Sequence, residues 1–141
     1  MLFRSSDNKL RTAGGESLFT TPAPNLVELR LNKCHLTDTA FKQLGEKDDW
    51  PLLKKLDLSD NKFTEKSLEQ ILYSPALQNL EELDISDNLV RERLDERLEE
   101  AFASGALPRL KKLVMRHAFF DPESDLPNVE ARVENGLEII L

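Results

Sequence analysis

The chain contains one cysteine, no long apolar run and a shortage of positive charge, and each of these excludes a class of protein. Cys34 is the only cysteine among 141 residues, so no disulfide can form within the chain. A chain that folds without disulfides is typical of a reducing compartment, and we therefore expect an intracellular, cytoplasmic protein. Eighteen consecutive apolar residues occur nowhere, and residues 1–9 lack the apolar core of a secretory signal. We expect neither membrane insertion nor export.

Lys and Arg together number 19, against 26 Asp and Glu, and the net charge is -7. Because proteins bind nucleic acids chiefly through Lys and Arg, nucleic acid is not an expected partner. The content of 40% hydrophobic and 32% charged residues is typical of a folded domain. We expect a single domain over residues 1–141.

An internal repeat organises the sequence. The pattern Leu-x-x-Leu-x-Leu/Ile-x-x-Asn begins at Leu53 and Leu80, and it begins at Leu26 with Cys34 in place of Asn. A fourth copy begins at Leu110 and lacks the Asn. Successive copies start 27 or 30 residues apart, which indicates a solenoid. The predicted parts are an incomplete repeat (1–25), three full repeats (26–52, 53–79 and 80–109), a fourth strand (110–120) and an irregular C-terminal cap (121–141).

Each unit predicts a strand followed by a helix. The strands place alternate apolar residues inward, namely Leu29, Leu31, Leu56, Leu58, Leu83, Ile85, Leu113 and Met115. Asn135-Gly136 predicts a turn into a last strand or a small hairpin. Since a helix follows each strand and all strands run the same way, the sheet is expected to be parallel.

The helices are predicted from a second periodicity. After each strand, apolar residues recur at helical spacing, and in the first full repeat this pattern ends with Leu44. Thr37 and Thr64 stand at N-cap positions. Three sites predict helix ends, namely Gly45, Ser74-Pro75 and Gly105. The charged segment 91–100 predicts a solvated helix face, and Trp50, Leu77 and Leu107 share a position that predicts packing.

The repeat resembles the leucine-rich repeat, and its period is similar to that of the ribonuclease-inhibitor-like subclass. The resemblance covers about residues 1–120. It implies an α/β solenoid of about four to five repeats, with a parallel sheet on the concave side and helices on the convex side. It also implies binding of another protein, usually on the concave sheet. The residues implied to form a structural ladder in the turns are Asn8, Cys34, Asn61 and Asn88.

Outward residues of neighbouring strands form lanes across the predicted sheet. The lane Glu28, Lys55, Glu82, Lys112 alternates in charge and can pair with itself. In the next lanes like charges adjoin, because Asp57 lies beside Asp84 and Asp60 beside Asp87. We hypothesise that a basic group of a partner protein binds there. The expected contact residues are Arg30, Lys33, Asp57, Asp60, Asp84, Asp87, Arg116 and His117.

The acidic lanes are also compatible with simpler roles. Leu-Asp-Leu-Ser-x-Asn is a common form of this repeat, so the aspartates can serve solubility alone. Splayed strand carboxylates and two distant histidines, His35 and the predicted sheet residue His117, indicate no metal site, and no cofactor is expected. We expect neither Asp57 nor Asp84 to be buried enough to raise its pKa, and we expect no catalytic residue. The alternatives to a non-catalytic adaptor are a regulatory subunit of an enzyme (a GTPase activator or a ubiquitin-ligase substrate receptor) and a structural fragment of a longer array. Oligomeric state is left open.

Overall fold

A computed structural model describes residues 1–4, 11–44, 49–121 and 123–141. In these residues six strands form one parallel sheet in chain order: β1 (Leu2–Arg4), β2 (Glu28–Arg30), β3 (Lys55–Asp57), β4 (Glu82–Asp84), β5 (Lys112–Val114) and β6 (Glu138–Ile140). Helices lie between them: α1 (Arg11–Phe19), α2 (Asp38–Phe41), α3 (Glu65–Tyr73), α4 (Leu94–Ala103) and α5 (Pro127–Glu134), with a 3-10 helix at Pro75–Leu77. The predicted parallel α/β arrangement is confirmed.

The strands are aligned at their central residue. Phe3 pairs with Leu29, and the same row continues through the remaining strands as Leu56, Leu83, Leu113 and Ile139. The strand residues predicted to point inward are at most 3% exposed, so the predicted alternation is confirmed. The predicted last strand is β6, which pairs parallel with β5 and forms no hairpin.

One apolar core lies between the sheet and the helices. Leu68, Ile71 and Leu72 of α3 are at most 1% exposed, as the helical spacing predicts. Trp50 and the equivalent leucines of the next two returning segments are equally buried, which confirms their predicted packing role. Each large apolar side chain buried in this way contributes about 1.5–3 kcal/mol. Stability therefore comes from the stacking of units against their neighbours.

The helix boundaries follow the capping signals. Thr37 and Thr64 occupy the N-cap positions of α2 and α3, and the Thr64 hydroxyl accepts a hydrogen bond from the Lys66 N–H at 3.3 Å. Helix α3 ends where Ser74 turns into extended backbone before Pro75. After α4 the chain turns at Gly105, whose φ of 82° lies in the left-handed region that favours glycine. Gly45 lies outside the described residues.

Three segments differ from expectation. Helix α2 is a single turn that ends before Leu44. The segment 91–100 is helical only from Leu94, and Asp95 on it is fully buried, so the prediction of a solvated face is wrong at that residue. The segment 121–141, expected to be irregular, contains α5 and β6. Helix α5 is capped by a side chain of α4, a contact that the sequence pattern does not reveal.

Candidate functional site

The face of the sheet that points away from the helices carries a shallow depression of about 250 Å³. It brings together three of the predicted contact residues, Arg30, Asp57 and Asp84, from three adjacent strands. Its lining also includes the charged residues of the neighbouring lane, namely Glu28, Lys55, Glu82 and Lys112. The depression is therefore polar and open to solvent.

The two aspartates of the depression are held in fixed positions. Asp57 and Asp84 are paired in register on β3 and β4. The Asp57 Oδ1 atom accepts hydrogen bonds from the backbone N–H of Ser59 at 3.0 Å and from its hydroxyl at 2.6 Å. The Asp84 Oδ1 atom accepts one from the backbone N–H of Ser86 at 2.9 Å. The second oxygen of each carboxylate accepts none of these bonds.

Asp84 is the electrostatically perturbed residue of this face. Burial raises the pKa of the Asp84 carboxyl above its ordinary value, and the neighbouring Asp57 carboxylate adds to the rise. Hydrogen bonds from Ser86 and the positive charge of Arg116 offset part of it. The expectation that neither aspartate is buried enough to raise its pKa is wrong for Asp84. The cause is the partial burial of its side chain.

The alternating lane is only partly paired across strands. Lys55 Nζ lies 3.2 Å from Glu82 Oε1 on the next strand, as predicted. Glu28 instead binds Arg30 of its own strand, with 2.5 Å between Arg30 Nε and Glu28 Oε1. Exposed pairs of this kind contribute at most about 1 kcal/mol. Because Arg30 forms an ion pair with Glu28, its guanidinium lies beside the alternating lane.

The other predicted contact residues lie in the turns that follow the strands. Four of them have φ in the left-handed region, which is uncommon for residues other than glycine: Lys33 at 56°, Asp60 at 53°, Asp87 at 55° and His117 at 61°. Neighbouring turns are hydrogen-bonded, for example from Asp87 N to Arg116 O at 3.1 Å. His117 contacts Asp87 through its ring nitrogen. His117 was expected on the sheet, and this expectation is wrong because β5 ends at Val114.

The eight predicted residues thus form two groups. Arg30, Asp57 and Asp84 lie in the depression. The turn group lies along the edge where the strands end, and it consists of Lys33, Asp60, Asp87, Arg116 and His117. In both groups acidic residues occupy the two central units, with a basic residue on one side of them in the depression and basic residues on both sides in the turns.

Asn61 links its own turn to the turn of the preceding unit. Its Oδ1 atom accepts hydrogen bonds from the backbone N–H groups of Cys34 at 3.1 Å and Leu36 at 3.0 Å. Its Nδ2 atom donates to the carbonyls of Leu31 and Leu58, both at 2.9 Å.

The equivalent positions along the ladder are less uniform. Asn88 Nδ2 donates to Leu58 O at 3.0 Å. Among the described residues, the Asn88 Oδ1 atom is buried and has no hydrogen-bond partner. Cys34 is fully buried, and Asn8 lies outside the described residues.

Acidic residues also bind the next unit on the helix side, and the sequence pattern gives no sign of these contacts. Asp38 accepts hydrogen bonds from the Thr64 N–H at 2.8 Å and from the Ser67 hydroxyl at 2.5 Å. Glu99 of α4 accepts hydrogen bonds from the N–H groups of Asn128 and Val129, the orphan donors at the start of α5.

These contacts also set the acidity of the two residues. Burial alone would raise the pKa of each carboxyl, but the hydrogen bonds outweigh it and the pKa lies below its ordinary value. Both residues are therefore charged contacts between units.

The described ranges hold neither a group of metal ligands nor a helix that could span a membrane. In residues 1–4, 11–44, 49–121 and 123–141, no three His, Cys, Asp or Glu side chains are grouped as a metal site would require. The helices of the same ranges are all too short or too polar to cross a membrane.

Parallel strands in chain order, each followed by a helix and leaving one sheet face open, define the class of α/β repeat solenoids. Residues 52–73 match the family model described as Leucine Rich Repeat. With the six-stranded parallel sheet, this match supports a leucine-rich repeat protein. Leucine-rich repeats are typically non-catalytic, and they generally bind proteins. A comparison with curated proteins gives no match.

Proposed function

We propose that this chain is a non-catalytic protein-interaction module that binds a basic side chain of a partner protein in the depression of the sheet. The observation that supports this is the aligned pair Asp57 and Asp84, held by Ser59 and Ser86. Burial and the adjacent Asp57 carboxylate disfavour the charged form of Asp84, as its raised pKa records. A cation placed between the two carboxylates would favour that charged form, and this gain would contribute to binding.

The remaining predicted residues are assigned to the edges of this site. Arg30, Lys33 and Arg116 flank the acidic units and would orient the partner by repelling a misplaced basic group. Asp60, Asp87 and His117 would extend the contact along the turns. The ladder residues Asn8, Cys34, Asn61 and Asn88 are assigned a structural role.

The finer classification is also part of the proposal. The period of 27 to 30 residues supports the ribonuclease-inhibitor-like subclass with about four and a half repeats. A single cysteine, buried in the core, supports an intracellular adaptor of the cytoplasm.

Charge reversal at the two aspartates tests the proposal. The variant Asp57→Lys/Asp84→Lys is immobilised beside the native chain, and captured proteins are compared by mass spectrometry. Glu130→Lys/Glu134→Lys makes the same charge change at exposed residues of α5 and is the matched control. We expect basic partners to be lost with the first variant and kept with the control, at unchanged thermal unfolding. Capture of the same proteins by both variants would contradict the proposal.

A further inference from the structure

The turns after the strands carry a second lane of exposed residues, which changes character along the array. Equivalent positions hold His35, Lys62, Leu89 and Phe119, all exposed. Leu89 is 47% exposed and Phe119 is 64% exposed. The lane is therefore polar in the first two units and apolar in the next two.

The backbone fixes this outward orientation. The Leu89 N–H donates to Phe63 O at 2.9 Å, which continues the hydrogen bond from Lys62 N to Leu36 O at 2.8 Å in the unit before. The residues that follow Lys62 and Leu89 face the core, where Phe63 is fully buried and Val90 packs partly against it. Leu89 cannot turn inward without removing its neighbour from the core.

The apolar pair adjoins the acidic turns. Asp87 lies two residues before Leu89, and His117 lies two residues before Phe119. The two turns are joined by the hydrogen bond from Asp87 N to Arg116 O at 3.1 Å and by the contact of His117 with Asp87. Neighbouring strands are about 4.8 Å apart, so the side chains of Leu89 and Phe119 lie within reach of one bulky group.

We propose that Leu89 and Phe119 form an apolar anchor site beside the acidic face. Its occupant is a peptide segment of a partner protein that carries basic residues and one bulky apolar residue. This inference rests on the proposed function, because the basic residues of the same segment enter the depression at Asp57 and Asp84.

The charge of the chain selects this occupant over others. Anionic membranes and nucleic acids also bind surfaces that combine apolar and charged residues, but they require positive charge on the protein. Here the net charge is -7, and in the central units Asp60 and Asp87 lie two residues before the lane positions. A basic, apolar peptide complements both properties of the surface.

Synthetic peptides on a Gly/Ser background provide the probe. One series carries two Arg and one Trp at varied separations, a second carries only Arg, and a third only Trp. Binding is measured by fluorescence anisotropy for the native chain, Leu89→Ser/Phe119→Ser and Asp57→Lys/Asp84→Lys. Leu52→Ser, at a residue that is 50% exposed outside the turn lane, is the matched control.

We expect the best peptide that carries both Arg and Trp to bind Leu89→Ser/Phe119→Ser at least about tenfold more weakly than the native chain. Its affinity for the Leu52→Ser control should be unchanged. The Arg-only series should bind the native chain and Leu89→Ser/Phe119→Ser equally. Phe119→Ser alone is the second variant, because Phe119 is the more exposed of the two residues. Thermal unfolding verifies that each variant folds.

The outcomes separate the two proposals. If the aspartate variant loses Arg peptides while Leu89→Ser/Phe119→Ser keeps full affinity for Arg and Trp peptides, the anchor site is wrong and the proposed function stands. If the aspartate variant binds Arg peptides as well as the native chain does, the proposed function is wrong, and with it the combined occupant. Binding of phosphatidylserine vesicles in preference to peptides, or no peptide binding above the Gly/Ser background, also overturns the inference.

Discussion

Replacement of Asn61 by alanine tests whether the turn ladder holds the units together. The Asn61 side chain is 5% exposed and accepts hydrogen bonds from two backbone N–H groups of the preceding turn. Its loss removes the acceptor of the buried Cys34 and Leu36 N–H groups. Each buried N–H group that loses its acceptor costs about 1–3 kcal/mol. We expect a loss of about 3 kcal/mol or more in the free energy of unfolding.

Asn88→Ala provides the internal comparison. The Asn88 amide donates to three carbonyls, among them Leu58 O, but the described structure gives its Oδ1 atom no donor. Its removal therefore leaves fewer buried groups unpaired, and we expect a loss of about 1 kcal/mol. The difference between the two variants comes from the accepting oxygen.

Equilibrium unfolding in urea measures both losses, and equal m-values verify that the compared transitions expose the same surface. Hydrogen exchange supplies a local measurement, because the Cys34 and Leu36 amides should lose protection in Asn61→Ala. A loss no larger for Asn61→Ala than for Asn88→Ala would refute the reasoning, as would unchanged protection of these two amides.

Three other substitutions have expected effects on stability. Glu99→Ala removes the cap of α5 and should cost about 1 kcal/mol of stability at neutral pH. The pKa of Glu99 is lower in the folded state than in the unfolded state. The stability from this cap is therefore present above the unfolded pKa and is lost as the pH falls through the folded pKa. Asp84→Asn should stabilise the fold at neutral pH, because the raised pKa means that the native state disfavours the charged form, and the gain should disappear in acid. Ala118→Asn should add about 1 kcal/mol by placing an amide at the ladder position of the unit after Asn88.

The same urea titrations, repeated across pH, check all three. A Glu99→Ala effect that persists undiminished below both pKa values would exclude the capping carboxylate as its source. Equal stability of Asp84→Asn and the native chain at every pH would show that Asp84 carries no net penalty. A destabilised Ala118→Asn would show that the turn cannot accept the amide.

The strands were predictable because their signal is local. Each strand needs only the alternation of apolar residues, and Leu56 and Leu83 occupy the same place in two copies of one pattern. The alignment of Asp57 with Asp84 follows from that pattern, so the acidic centre could also be predicted.

Contacts between units were not predictable in the same way. Helix α1 contains Gly14 and Gly15, which disfavour helix. Packing overrides this preference, because a Cβ on Gly15 would lie 2.7 Å from Leu36 Cδ2 and 2.9 Å from the Ala40 Cβ. The burial of Asp84 likewise arises only when the strands assemble, and the Glu28–Arg30 pair depends on side-chain reach within one strand.

The chain-order sheet has an evolutionary consequence. Because every strand pairs only with its sequence neighbours, a tandem duplication of residues 53–79 could be inserted without rewiring any other pair. The insertion would widen the negatively charged strip by one strand spacing, about 4.8 Å, and would separate Arg30 and Arg116 by the same step. The width of this strip could thus be changed in fixed increments by copying a single module.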